Sequence, residues 1–398
     1  MNRTRRLLVP LALGLALAGC QGSNKVKVGV VLPLTGGAEV YGKAIRQGIE
    51  IAQERTVASK ESQYAIEILW RDSKSDPETA KRLLEAVYDE GAIVAIGGVT
   101  SAEALAMVPV ADRASRVLLS PSASQPQLSG ISSNFYRVFP SDASEGTMMA
   151  NFARQTLELA KVVVLAKEET YAKGAQEVFR ERFTELGGQV VEVLVFPPNT
   201  VDFSGLVERV GTVKPDAVYI AAYAGEIVNL VKALRAHGFA GSVLTTSSFS
   251  TADAIGQAGP AAEGVYFTQT AFAPTEKNPE VEAFVNAYKA KYRAEPDLYA
   301  AHGYDSYRVL LAAMRESGKG ASDFWKGMRG ISDFPGVTGT FQFDEKGDVK
   351  KFPRVFMVRE GLVLDLEKAE EARREEIRKK MREIQEELIR LRAQGGGG

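Results

Sequence analysis

The chain has 398 residues, with 49 basic and 50 acidic side chains, and its formal net charge is −1. This length is too great for one ordinary hydrophobic core and favours two domains. The balanced charge, with no long basic stretch in the body of the chain, excludes a typical nucleic-acid-binding surface.

The first twenty residues have the pattern of an export signal. Three arginines precede an apolar run, Leu7 to Ala18, that is too short to span a bilayer. The run leads into Leu17-Ala18-Gly19-Cys20, which resembles the bacterial lipoprotein box. We therefore predict a signal peptide over residues 1–19, then a lipidated Cys20 with a polar tether to residue 24, which would hold the protein at a membrane. A plain secretory signal with an incidental cysteine is the alternative.

The stretch from Val26 to Gly48 predicts a strand, a loop and the start of a helix. Aliphatic residues run almost unbroken to Leu32, as in a parallel strand that is buried on both faces. Thr35-Gly36-Gly37 then forms a turn, and Tyr41 to Ala52 has helical spacing. Because ligands of open α/β sheets lie at the carboxyl ends of the strands, this loop is a candidate binding edge.

A phosphate-binding loop is the competing interpretation of this stretch. Gly37 to Lys43 matches G-x-x-x-x-G-K after a strand. The next residue is Ala44, however, where a nucleotide site needs a hydroxyl for magnesium, and Glu39 places a negative charge in the loop. We therefore expect no nucleotide and no other cofactor.

Alternating strands and helices continue through the first half of the chain. Two loops, Gly97 to Ser101 and Ser120 to Pro126, each follow a predicted buried strand and are rich in hydroxyls. Hydroxyls and free backbone N–H groups can hold an anion such as a carboxylate. Ordinary turn and cap chemistry is the alternative for each loop alone. As a pair beside the first loop, they favour a binding site.

The pattern restarts after Phe139-Pro140-Ser141-Asp142. A helix is predicted over Glu145 to Leu159, and five further strands with intervening helices follow to Thr270. This pattern predicts a second doubly wound unit of similar size. Two helices predicted after Pro279 have a sequence pattern like that of the first unit. The chain is therefore expected to cross between the units more than once. Such a connection allows the units to hinge.

Six segments of the chain are informative as a set. In order they are LPLTGGAEVYGKAIRQGIEIA, the Asp72 to Pro77 segment, IGGVTSAEALA, LLSPSASQPQLS, AHGYDSYRVL and VTGTFQFDEKGD. Together they resemble the type I periplasmic binding proteins, specifically the branched-chain amino acid (Leu/Ile/Val-type) substrate-binding proteins of ABC transporters. The resemblance covers about Lys25 to Leu366.

The resemblance implies an α/β clamshell of two doubly wound parallel-sheet lobes joined by three crossovers. Lobe 1 would comprise residues 25–140 and 268–340, and lobe 2 residues 141–267 and 341–366. A protein of this kind captures a small ligand by hinge closure and delivers it to a membrane permease. It would work in the periplasm or at the cell surface.

The resemblance also implies the ligand-binding residues. Ser101 and Ser124 match hydroxyls that hold the ligand carboxylate, and Ser122 matches a backbone contact. The aromatic and second-lobe positions that match the cleft are Tyr41, Tyr171, Tyr223 and Ser247.

One departure concerns the ligand's ammonium group. Leucine-type members present an acid after a strand of the second lobe, but the matching stretch, Thr245 to Phe249, has none. A buried ammonium without a carboxylate is costly. Either Asp142, Glu169 or Glu226 replaces that acid, or the ligand is not an α-amino acid.

An enzyme is not predicted, because the only two histidines, His237 and His302, have no metal-ligand or catalytic spacing. No metal site is expected. Two other functions remain open: a ligand sensor that signals to a partner through the same clamshell, and a structural lipoprotein that docks proteins.

Residues 367–398 predict a charged helix that ends in a glycine tail. Ile377, Met381, Ile384, Leu388 and Leu391 are spaced four, three, four and three. This heptad pattern is typical of a coiled coil or a helix that docks on a partner. A solvated helix held by i,i+4 charge pairs is the alternative.

Overall fold

The computed structural model describes residues 25–60, 62–270, 272–318 and 320–395. The predicted signal peptide and the lipidation site at Cys20 lie outside the described residues. Among the helices in these ranges, none combines the length and the apolar character that a membrane crossing requires.

The first sheet is built from five parallel strands. In chain order they are β1 Lys25–Leu32, β2 Ala65–Asp72, β3 Val94–Gly97, β4 Val117–Ser120 and β5 Phe135–Arg137. The helices between them are α1 Glu39–Ser59, α2 Pro77–Asp89 and α3 Ser101–Ala114. The strands pair in the order β2-β1-β3-β4-β5. Every residue of β1 from Val28 to Leu32 is buried, because helices cover both faces of the sheet.

The second unit repeats this construction. Its elements are α4 Asp142–Asn151, β6 Lys161–Lys167, α5 Thr170–Glu185, β7 Gln189–Phe196, α6 Ser204–Val213, β8 Ala217–Ala221, α7 Ala224–Ala236, β9 Ser242–Thr245, α8 Ala252–Ala258 and β10 Val265–Gln269. These five strands pair in the order β7-β6-β8-β9-β10, which is the order of the first sheet. The predicted class, two mostly parallel doubly wound α/β sheets, is confirmed.

The last third of the chain returns to both sheets. Its elements are α9 Pro279–Tyr292, α10 Leu298–Ser317, α11 Phe324–Arg329, β11 Phe334–Gly336, β12 Gly339–Phe341, β13 Arg354–Arg359, β14 Leu362–Asp365 and α12 Leu366–Gly395. β13 and β14 extend the second sheet beyond β10 as antiparallel strands. We call the first sheet with α1–α3 and α9–α11 the first lobe, and the second sheet with α4–α8 the second lobe.

Helix α10 packs directly on α1, which attaches the late helices to the first lobe. The backbones approach so closely that a Cβ atom on Gly48 would lie 1.9 Å from the carbonyl oxygen of Ala300. Only glycine permits this contact.

The chain crosses between the lobes after β5, after β10 and after β12. In the last of these segments the Gly347 carbonyl accepts a hydrogen bond from Arg137 N (3.1 Å), so the segment lies against the edge of the first sheet. The predicted change of lobe at residue 341 therefore stays a prediction.

Some helix boundaries differ from those expected. The helix expected over Glu145 to Leu159 begins at Asp142, because the Ser141 side chain caps it by accepting a hydrogen bond from the Ala143 N–H. It ends at Asn151 and continues into a π-helical turn, Phe152–Thr156. The earlier start brings Asp142 and Glu145 into the same first turn.

Candidate functional site

One small cavity lies where the carboxyl ends of strands from both sheets face each other. All seven residues predicted to bind ligand line it. They are Tyr41, Ser101, Ser122, Ser124, Tyr171, Tyr223 and Ser247. The lining also includes Phe139, Ser248 and Tyr299, which the sequence did not single out. The structure therefore brings together residues more than 200 positions apart.

The first-lobe wall of the cavity is polar. Ser101 is the first residue of α3, whose start is fixed by a capping box between Thr100 and Glu103. The first turn of a helix has backbone N–H groups without intrahelical partners, and its dipole favours a negative charge there. Ser124 lies beside it after β4. The Ser122 hydroxyl donates to the Val99 carbonyl (2.7 Å), so this side chain already has a partner within its own lobe.

Arg137 holds the loop that carries Ser122 and Ser124. Its guanidinium is fully buried and pairs with Asp348 (2.6 Å). It also donates to the carbonyl of Gln125 (3.0 Å) and to the Ser129 hydroxyl (2.7 Å). Arg137 was not predicted from the sequence, because its partners lie on a loop and on the third crossover.

The second-lobe wall is aromatic. The rings of Tyr171 and Tyr223 stack with their centroids 5.5 Å apart and an interplanar angle of 6°. Lys167 lies 4.8 Å from the centre of the Tyr223 ring. The Tyr171 hydroxyl accepts a hydrogen bond from the Ser248 hydroxyl (3.1 Å). This stack offers a flat apolar surface opposite the hydroxyl-lined wall.

Tyrosines of the first lobe close the cavity by bonding to the second lobe. The Tyr41 hydroxyl accepts a hydrogen bond from the Ala224 N–H (2.8 Å) and contacts the Ser248 carbonyl (3.5 Å). The Tyr299 hydroxyl contacts the Ser247 carbonyl (3.5 Å). The free volume of the cavity is about 20 Å³, which is room for about one water molecule. A ligand larger than water can therefore enter only when the lobes separate or the tyrosines move.

The three predicted ammonium partners differ in their surroundings. Glu226 is already paired with Lys167 (2.5 Å). The Glu169 side chain caps α5 by accepting from Tyr171 N (3.1 Å), and burial raises its pKa. Asp142 is buried, its Oδ2 has no hydrogen-bond partner, and burial raises its pKa to about 7. Asp142 is therefore the best candidate of the three to pair with a ligand's ammonium group, since its carboxylate has the fewest partners within the protein.

Glu145 lies one helical turn after Asp142 and was not predicted as a site residue. Its Oε2 accepts hydrogen bonds from the hydroxyls of Ser247 (2.9 Å) and Thr268 (3.3 Å), and its Oε1 has no partner. Burial and the nearby Asp142 raise its pKa to about 8. The i,i+3 spacing of the two acids was the available signal, because it places both on one helix face. Glu145 thus lies directly behind Ser247, in the stretch that lacks an acid of its own.

Neither histidine lies in the lining of this cavity. His302 is buried on α10, and one of its ring nitrogens lies 3.1 Å from the Thr270 hydroxyl. Burial lowers its pKa well below the usual value. Within the described ranges, no group of three or more His, Cys, Asp or Glu side chains could hold a metal ion.

Comparisons with known proteins agree with this architecture. A family profile described as periplasmic binding protein matches residues 25–359. The chain is similar to a leucine-binding protein of Thermotoga maritima, with 33% identity and a TM-score of 0.80, covering 85% of this chain and 97% of that one. It is also similar to the branched-chain amino acid transporter substrate-binding protein of Streptococcus pneumoniae, solved with isoleucine, with 26% identity, a TM-score of 0.80 and the same coverage. A leucine-, isoleucine-, valine-, threonine- and alanine-binding protein of Pseudomonas aeruginosa is 22% identical over 354 residues, which are 88% of this chain and 94% of the relative.

Proposed function

The chain belongs to the periplasmic binding protein family, and on that basis we propose that it captures an amino acid or a related small carboxylate between its lobes and delivers it to an ABC transporter permease. The matched relatives are binding proteins, and the proposal involves capture without catalysis. The observation that carries it is the cavity at the meeting edges of the two sheets, with hydroxyls on one wall and stacked tyrosines on the other.

The hydroxyl wall would bind the ligand's carboxylate. Ser101 and Ser124 can each donate a hydrogen bond to it, and the first turn of α3 adds backbone N–H groups. Hydrogen bonds to a charged group contribute about 1.5–3 kcal/mol each. The Ser122 backbone would complete this side of the site. The apolar part of the ligand would lie against Tyr171 and Tyr223.

Asp142 and Glu145 would compensate the ammonium group of an amino acid. Each has a buried carboxylate oxygen without a partner, and Glu145 bonds to the lining residue Ser247. A positive charge near this pair would favour its ionised form and lower both pKa values. Binding of an amino acid at neutral pH would then release protons. The names of the relatives from Thermotoga maritima and Streptococcus pneumoniae also favour an amino acid.

Closure would couple capture to transport. Tyr41 and Tyr299 bond to the second lobe only when the lobes are together, so a ligand that contacts both walls shifts the population toward the closed form. The permease would recognise that form.

The family implies an exported protein. Lipidation of Cys20 would keep the protein at a membrane, in the periplasm or at the cell surface. A lipid anchor also keeps the captured ligand near the permease.

A ligand screen tests the proposal. Thermal-shift measurements on the mature chain would cover amino acids, their amides and small carboxylates. A compound that binds the folded state raises the melting temperature. Calorimetry would then measure the affinity of each hit. We expect Ser101→Ala and Ser124→Ala each to weaken binding about tenfold to a hundredfold. Ser59→Ala, at the exposed end of α1, is the matched control. The proposal fails if no compound binds, or if the hits bind both cavity variants as tightly as the parent protein.

A further inference from the structure

Helix α12 has an apolar stripe that the rest of the described chain leaves uncovered. Every side chain from Glu370 to Ile389 is exposed. Four large apolar side chains follow one another along one face: Ile377 (49% exposed), Met381 (63%), Ile384 (59%) and Leu388 (49%). Their spacing of four, three and four residues is that of a coiled-coil seam. A stripe of this kind is a surface for another helix.

The charges of α12 indicate what that other helix is. The helix contains eight acidic and nine basic residues, so its net charge is close to zero. An anionic membrane surface or nucleic acid would require a clear excess of basic residues. A second copy of the same helix would meet little net repulsion, and it would carry the same seam.

We propose that α12 pairs with α12 of a second copy of this chain in an antiparallel coiled coil. In the matching register, Met381 packs against Ile384 of the second copy, and Ile377 packs against Leu388. Each layer occurs twice because the two copies are related by a twofold axis. The axis crosses the pair between residues 382 and 383.

Charges beside the seam select this orientation. In the antiparallel register, Lys380 and Glu387 of the second copy flank the seam on the same side, offset by two residues along the helices, so their side chains can attract each other. The twofold axis repeats this attraction. In a parallel pair, Arg374 of both copies would meet in one core layer, and Arg373 would face Arg378. Like charges in these positions oppose association.

The length of the helix also fits. Thirty residues of α-helix extend about 45 Å. In the proposed register, residue 395 of one copy lies opposite residue 370 of the other, four residues short of the point where α12 leaves the second lobe. The two bodies therefore lie at opposite ends of the helix pair.

Charge reversal tests the pairing. Sedimentation equilibrium of the mature chain would give the dimer dissociation constant, which we expect in the micromolar range because short coiled coils are marginally stable. Lys380→Glu and Glu387→Lys should each raise it about tenfold, because two attractive pairs become repulsive. The double variant should regain most of the loss. Lys379→Glu makes the same charge change away from the seam and is the control. A monomer at every concentration overturns the proposal, and so do single variants that associate like the control.

Engineered cysteines test the orientation. Ile377→Cys and Leu388→Cys would be made separately in a chain with Cys20→Ser, which removes the only native cysteine. The antiparallel register predicts a disulfide when the two variants are mixed and none in either alone. Disulfides within each single variant would indicate a parallel pair and overturn the proposal.

Discussion

Replacing Glu145 with glutamine tests the electrostatics of the cavity. The carboxyl of Glu145 is buried, its Oε1 has no partner, and burial together with Asp142 raises its pKa to about 8 from an ordinary 4.5. Between these two pH values the folded protein keeps this proton while the unfolded chain loses it. Stability without ligand should therefore fall as the pH rises from about 5 to about 8.

The size of the effect follows from the shift in pKa. Each pKa unit corresponds to about 1.4 kcal/mol, so a shift of this size gives at most about 4–5 kcal/mol. Because Asp142 shares the cost of the buried charge, we expect about 2–3 kcal/mol. Glutamine stays neutral and keeps a hydrogen-bonding oxygen for Ser247. The variant should match the parent protein at pH 5 and be more stable by this amount at pH 9.

Urea denaturation at pH 5, 7 and 9 measures the difference. Glu181→Gln, on the exposed face of α5, controls for the loss of one surface charge. The same variant also tests the ligand: Glu145→Gln should weaken binding of an amino acid and leave binding of the corresponding ammonium-free carboxylate unchanged. If Glu145→Gln follows the pH dependence of the parent protein, the reasoning about a buried neutral acid is refuted.

Three further predictions concern closure, the ligand loop and the C-terminal helix. Tyr41→Phe removes the acceptor for Ala224 N and should destabilise the closed form by about 1 kcal/mol. Calorimetry should then show a ligand affinity about fivefold weaker. Unchanged affinity would contradict the role of this contact. Arg137→Lys keeps the charge but loses most of the hydrogen bonds to the loop and to Asp348. Urea denaturation should therefore show that the free energy of unfolding falls by about 2–4 kcal/mol. A fall of less than about 1 kcal/mol would contradict the role of Arg137 in holding the loop. Deletion after Leu366 should leave ligand affinity intact, and a loss of binding would mean that α12 belongs to the core.

The sequence predicted the parts of the site that depend on strand ends. Ser101 and Ser124 each follow a buried parallel strand, and such strands bring their carboxyl ends to one edge. Periodicity and turn residues are local signals, so they located these loops without any long-range information. The resemblance to a family then indicated which tyrosines belong to the same cleft.

The rest of the site depends on contacts between distant segments. Tyr299 reaches the cavity because α10 returns to the first lobe, and no local pattern distinguishes it from a core tyrosine. Glu145 was missed because the helix begins three residues earlier than expected, which places this acid under Ser247. The role of Arg137 becomes evident only from the contact between the third crossover and β5.

A crystal structure of the mature chain with the tightest ligand from the screen tests the central claim most directly. We predict that the ligand's carboxylate lies within hydrogen-bond distance of Ser101 and Ser124, and that its other end contacts Tyr171 and Tyr223 in the same closed molecule. A ligand bound outside this cavity, or one that contacts a single lobe, would contradict capture by closure.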